Sequence, residues 1–148
     1  MAGHSYQELE NGLGKLTLNN GSGNPITTDL LEELHTQLRQ LTQNPPRSLI
    51  LDAGESPIFS GGFALPVIAS WNRSQIREFF GLFLDTLHSL LLLPCPTIGA
   101  IGGHAIAGGF ILSLGCDFRV VKSSGIKLGL SEVDLGVAVP AGTQVLFE

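Results

Sequence analysis

Charge is scarce in this sequence: Asp, Glu, Lys and Arg make up 14% of its 148 residues, against 43% apolar residues. That balance excludes an intrinsically disordered chain, which stays unfolded by having much charge and little hydrophobicity. It also implies additional buried surface, in an oligomer or against a further segment. The charge that is present sums to -5, so nothing provides the basic footprint that nucleic acid requires. An anionic ligand would have to be held by local contacts. Cysteine is scarce as well. Cys95 and Cys116 are spaced neither as a CxxC pair nor with histidines at metal-ligand intervals, which excludes a disulfide framework and a structural zinc site. Two buried free thiols are expected.

The ends of the chain lack addresses. Residues 1–10 are polar and carry acids, unlike a secretory signal, and the final Gln-Val-Leu-Phe-Glu is neither a lipid anchor nor a peroxisomal tag. A cytoplasmic or otherwise reducing compartment is the default expectation. Uninterrupted apolar runs are lacking too. Residues 98–116 approach the length of a membrane span, but Gly99, Gly102, Gly103, Gly108, Gly109 and His104 break them up, between Pro96 and Asp117 with Arg119. A strand, a glycine turn and a buried helix fit that pattern better. Residues 79–93 carry Asp85 and His88 and are too short to span.

What is present reads as one domain of alternating strands and helices. Residues 13–18 alternate apolar and polar, as a half-buried strand does, and 19–25 are a dense loop signal. Thr27 or Thr28 caps a helix to Thr42, with Leu30, Leu31, Leu34, Leu38 and Leu41 on one face and Pro45 and Pro46 beyond it. Residues 48–52 read as a strand. Ser74 is expected to cap a second helix running to Leu93, ended by Pro94 and Pro96. Residues 97–101, 117–122 and 126–130 read as further strands, and Gly108 or Gly109 opens a helix toward Gly115. Right-handed crossovers would join these units.

Three segments carry possible chemistry. The first is Ile58-Phe59-Ser60-Gly61-Gly62-Phe63-Ala64-Leu65, where glycines allow close backbone approach and consecutive N–H groups can point into a concavity. Taken alone, it fits a tight structural turn better. The second is Gly102-Gly103-His104-Ala105-Ile106-Ala107-Gly108-Gly109-Phe110, a strand feeding a glycine turn and then a helix. Free N–H groups at that helix start would stabilise developing negative charge. The plainer alternative is a small-residue helix packed closely on a sheet. Neither a Rossmann nor a P-loop pattern is present. The third runs over residues 128–140 around Glu132. An acid between apolar residues at a strand end suits proton transfer, and a solvated loop acid or helix cap is the alternative. His104 reads as a turn or packing residue, and Asp117 and Arg119 as an ion pair or turn contact.

In this order and spacing, the three segments resemble the enoyl-CoA hydratase/isomerase (crotonase) family. Residues 96–105 through Cys116-Asp117-Phe118-Arg119 are the most specific stretch, and the resemblance extends from about Leu13 to Pro140. It implies an α/β, crotonase-like (ClpP/crotonase) repeated ββα spiral. Residues 1–148 would form a single core domain, truncated at the C-terminus and lacking the family's C-terminal helices. It implies that the backbone N–H groups of Phe63 and Gly108 form an oxyanion hole for a thioester. Ser60, Gly61, Gly62, Leu65, Gly109 and Ile111 would contact the substrate.

The family's hydratases use two glutamates. The first would fall at Ile111 and is missing, while the second falls at Glu132. One carboxylate suits moving a proton between two carbons, as in the 3-enoyl-CoA to 2-enoyl-CoA isomerases, especially the plant-type members that residues 130–136 resemble. The resemblance further implies an acyl-CoA substrate, no cofactor beyond the coenzyme A it carries, no metal, no nucleic acid and no membrane. It implies a homotrimer or assembly with a longer homologue, and a peroxisomal or mitochondrial location beside the cytoplasmic one. Two other readings stand beside it: a hydratase or other crotonase chemistry, and a catalytically silent subunit that binds coenzyme A or a longer partner. Ala64 stands where the family has an acid, and Gly102 where it often has asparagine.

Overall fold

His4–Glu8 (β1) folds back antiparallel onto Leu13–Leu18 (β2), which alternates outward and buried residues along its length. The structure, a computed structural model, describes residues 3–132 together with 136, 138, 139, 142, 143 and 146. After β2 come Pro25–Ile26 (β3), the helix Thr28–Gln43 (α1), Ser48–Asp52 (β4), Ile58–Ser60 (β5), Gly62–Phe63 (β6) and a single helical turn, Leu65–Ile68 (α2). The long helix Arg73–Leu91 (α3) follows, then Thr97–Ile101 (β7), His104–Ile106 (β8), Gly108–Leu114 (α4), Phe118–Val121 (β9) and Leu128–Gly129 (β10).

The main sheet has the order β1-β2-β4-β7-β9, and every pair in it beyond β1 and β2 is parallel. Leu49 and Leu51 on β4 and Leu16 and Leu18 on β2 point to one face, where Leu30, Leu34, Leu38 and Leu41 of α1 cover them. Burying a leucine of this kind contributes about 1.5–3 kcal/mol. Helix α1 begins where expected because the Thr27 hydroxyl accepts the Leu30 N–H at 3.3 Å. Its Leu31 turns instead toward α3 and joins a second cluster with Ile26, Phe79, Phe83, Leu87 and Ile111.

Three local expectations are corrected. Helix α3 starts at Arg73, not after Ser74, because the Asn72 side chain accepts the N–H groups of both Ser74 and Gln75 while Gln75 reaches back to the Asn72 N–H. That reciprocal box uses Asn72 as the cap and leaves Ser74 inside the helix. The strand expected over 126–130 is only the two residues of β10. Of the two thiols, Cys116 is buried but Cys95 is only half-buried. Of the remaining alternatives, Arg119 makes a turn contact, whereas Asp117 reaches across to the start of β7. The Asp117 carboxylate accepts the Thr97 N–H and hydroxyl, both at 2.8 Å, and Arg119 donates to the Cys116 carbonyl. No helix among the described residues is long and apolar enough to cross a membrane.

Candidate active site

A small second sheet brings the three sequence segments together. Its order is β10-β8-β5, parallel throughout, so the second segment lies between the first and the third. The main-chain contacts are specific: His104 N–H to Pro57 O at 2.9 Å, and Ala107 N–H to Gly129 O at 2.8 Å. His104 is a structural residue here, its Nδ1 accepting the Lys127 N–H at 2.9 Å.

The first segment is pinned from below by a loop residue that the sequence reading passed over. Asn24 is buried with φ at 44°, and its amide donates to the Ile58 carbonyl while its oxygen accepts the Asn20 N–H. Ser60 is fully buried. Its hydroxyl donates to the Asn24 carbonyl at 2.8 Å and accepts the Gly62 N–H at 3.2 Å. Gly61 N–H donates to Gly23 O at 2.8 Å. Asparagine among glycines and prolines is a turn signal, and that was the available hint.

From this platform β6 runs beside β3, with Phe63 opposite Ile26. The Ala64 N–H donates to the Ile26 carbonyl at 3.2 Å. Successive N–H groups of an extended strand point to opposite sides, so the Phe63 N–H is directed away from β3. On that other side stands the start of α4. Gly62, at φ 87°, comes so close that a Cβ on it would lie 2.9 Å from the Ile106 carbonyl oxygen and 3.2 Å from the Gly108 nitrogen. Only glycine permits both that angle and that approach. Gly108 is the first residue of α4, and the helix's first bond runs from Ile111 N–H to Ala107 O at 3.0 Å. The Gly108 N–H therefore has no carbonyl within the helix. Ala107, just before it, is held at φ 50° and ψ -125°, a conformation that costs a non-glycine residue about 1–3 kcal/mol and that folds retain mainly at functional sites.

Glu132 follows Gly129 by three residues. Gly129 O accepts the Ala107 N–H, and chain reach keeps the Glu132 Cα within about 10 Å of the Gly129 Cα. Glu132 is 5% exposed, and among the described residues neither carboxyl oxygen has a hydrogen-bond partner. Unpaired buried polar atoms are rare and costly, and they point to a role outside structure. Residues 133–135, 137 and 140 of the third segment lie outside the described residues.

Of the other expected contact residues, Gly109 is buried against Ser60, Gly61 is exposed, and Leu65 is 46% exposed at the start of α2. Ile111 is fully buried among Phe79, Phe83 and Leu87. An aromatic group was missed by sequence reasoning: Phe63 meets Phe79, Phe80 and Phe83 edge to face, with ring centroids 4.9–5.5 Å apart. The spacing of Phe79, Phe80 and Phe83 along one helix was its only trace. Among the described residues, no group of three or more His, Cys, Asp or Glu side chains could hold a metal ion.

Residues 8–148 match the model of a family described as enoyl-CoA hydratase/isomerase. The chain is 33% identical to mouse mitochondrial methylglutaconyl-CoA hydratase, over 92% of this chain and 43% of that protein. It is 32% identical to enoyl-CoA delta isomerase 3 of Arabidopsis thaliana, over 84% of this chain and 54% of that one. Its fold superposes on the crystal structure of an enoyl-CoA hydratase from Bacillus anthracis with a TM-score of 0.87 and 33% identity, covering 94% of this chain and 54% of the other. The chain thus spans about half the length of the curated relatives it matches.

Proposed function

Because this chain belongs to the enoyl-CoA hydratase/isomerase family and has its α/β crotonase-like fold, we propose that it moves a carbon–carbon double bond from C3 to C2 of an acyl-CoA thioester. Glu132 takes a proton from C2 of the 3-enoyl group, and the negative charge spreads onto the thioester oxygen. The N–H groups of Phe63 and Gly108 hold that oxygen. The protonated Glu132 then delivers the proton to C4, leaving the conjugated 2-enoyl product. One proton is carried and returned, so the sum of atoms is unchanged and no further cofactor takes part.

The observation that supports this reading is the buried, unpaired carboxyl of Glu132, three residues beyond Gly129, whose carbonyl accepts the Ala107 N–H just before α4. Two fixed donors aimed at a developing oxyanion do not reorganise during the reaction, and the loss of one such donor costs about 3–4 kcal/mol in comparable sites. Ile111 supports isomerisation over hydration. By the family resemblance it stands where the hydratases carry a second acid, and it is 0% exposed. The mouse relative's name favours the second reading, a hydratase. The two differ in whether the product gains a water.

The test is turnover of 3-hexenoyl-CoA by the chain and by Glu132→Gln. Isomerisation that falls by about 10²–10⁴-fold in the variant, with negligible hydration of 2-hexenoyl-CoA, is the expected result. Hydrated product from the unmodified chain would establish the hydratase reading instead. Coenzyme A thioester binding without turnover of either substrate would overturn both.

A further inference from the structure

Phe63 has two sides. By the reading above its N–H holds the thioester oxygen, while its ring lies against the Cα of Gly108, the residue bearing the other donor. An acyl chain attached to that thioester therefore begins next to the ring. Behind the ring stand Phe79, Phe80 and Phe83, each packed edge-on with interplanar angles of 78–85°. Phe79 and Phe83 are 2% and 0% exposed, so the Phe63 ring is backed by packed core on that side. Phe63 itself is only half-buried, so the surface it still presents is the surface an acyl group would meet.

A cavity of about 410 Å³ opens past Ala64 and Ile68, but Asp29 and Glu33 are in its lining. A hydrocarbon tail continuing into it would strip water from both carboxylates, with Glu33 keeping the Gly3 N–H at 2.7 Å and the His4 ring at 3.4 Å as partners. The long path carries two acids, and the ring cluster lies across the other.

We propose that the Phe63 ring, backed by Phe79, Phe80 and Phe83, is the wall that ends the acyl site and restricts this protein to short-chain acyl thioesters. The proposal rests on the placement of the thioester oxygen between Phe63 and Gly108, and it deepens that reading by naming the substrate class. In a hydrophobic site, a single methylene too many changes selectivity by about 10–200-fold, so a closed wall discriminates sharply.

Two measurements test it together. Affinity for saturated acyl-CoA from butanoyl to decanoyl is read by calorimetry, and kcat/KM is compared for 3-hexenoyl-CoA and 3-decenoyl-CoA. The unmodified chain should favour the six-carbon substrate by at least tenfold. Phe80→Ala, which leaves both donor residues untouched, should reduce that preference at least tenfold, and Phe63→Leu should act in the same direction. Equal use of both lengths by the unmodified chain overturns the proposal. So does an unchanged length preference in both variants when thermal melts show them folded. Should no thioester be isomerised, a length cutoff in saturated acyl-CoA affinity that Phe80→Ala lifts would still sustain the wall while the isomerase reading fails.

Discussion

The Phe63 ring rests on the bare Cα of Gly108: a methyl group there would lie 2.8 Å from both Cε1 and Cζ of the ring. The two residues proposed to donate to the oxyanion are thus in contact through a side chain, and their spacing depends on Gly108 having none. Gly108→Ala should push the ring toward α3 and shift one donor against the other. We expect kcat/KM to fall by about 10²-fold, as for the loss of one donor, with a stability loss of about 1–3 kcal/mol from overpacking. Enzyme kinetics and urea melts measure the two separately. An alanine variant with unchanged turnover would show that the ring does not set the donor geometry.

Two glycines of the second segment should respond differently. A Cβ on Gly109 would run into the Ser60 backbone and lie 2.6 Å from the Ser60 Cβ and 2.7 Å from its Oγ, whereas nothing lies within 4 Å of one on Gly102. Ser60 is itself locked by Asn24 and Gly62. Gly109→Ala is therefore expected to lose about 3 kcal/mol or more, and Gly102→Ala to stay within about 0.5 kcal/mol of the parent. Denaturant midpoints of the pair, taken side by side, provide the check.

Glu132 should show opposite effects on stability and activity. Its carboxyl is buried without a partner, so replacing it with a hydrocarbon of similar size removes an unsatisfied group. Glu132→Leu is expected to gain on the order of 1 kcal/mol of stability while abolishing isomerisation. A variant that is clearly less stable than the parent would mean that Glu132 is a structural residue after all.

The two thiols should be distinguishable by reagent and by pH. Burial pushes the Cys116 thiol up from 9.0 to about 12, with the Arg119 guanidinium opposing and Asp117 adding to the rise. Burial, and secondarily Asp117, raises Cys95 as well. The thiolate is the reactive form, so at pH 8 the native protein should consume one equivalent of thiol reagent slowly, at Cys95. The second equivalent should require denaturant. Because the folded value of Cys116 exceeds the unfolded one, its contribution to stability is complete below pH 9 and is lost as the pH rises toward about 12. Cys116→Ala should flatten the fall in the urea midpoint across that window.

Much of the scaffold was legible before the fold was known. Leu13–Leu18, Ser48–Asp52 and Thr97–Ile101 lie where alternation and flanking turns put them, and α1 starts at its threonine cap. Five or six residues are enough to show a period of two, and sixteen are enough to show a leucine face. The strands that assemble the site were not legible in the same way. β3, β6 and β10 have two residues each, and β5 and β8 have three, too few to display any period. Their partners are also far away along the chain, so no local signal pairs them.

By itself, the sequence determined the alternation of strands and helices, the apolar faces of the long elements, and the presence of an acid and two glycine turns in a set order. These follow from local periodicity, capping and backbone freedom, which nearby residues decide. Only the tertiary structure decided that β8 lies between β5 and β10, that the Glu132 carboxyl is buried without a partner, and that the Phe63 ring closes over Gly108. Burial and close approach are properties of surfaces brought together from distant parts of the chain, and no stretch of sequence contains both surfaces.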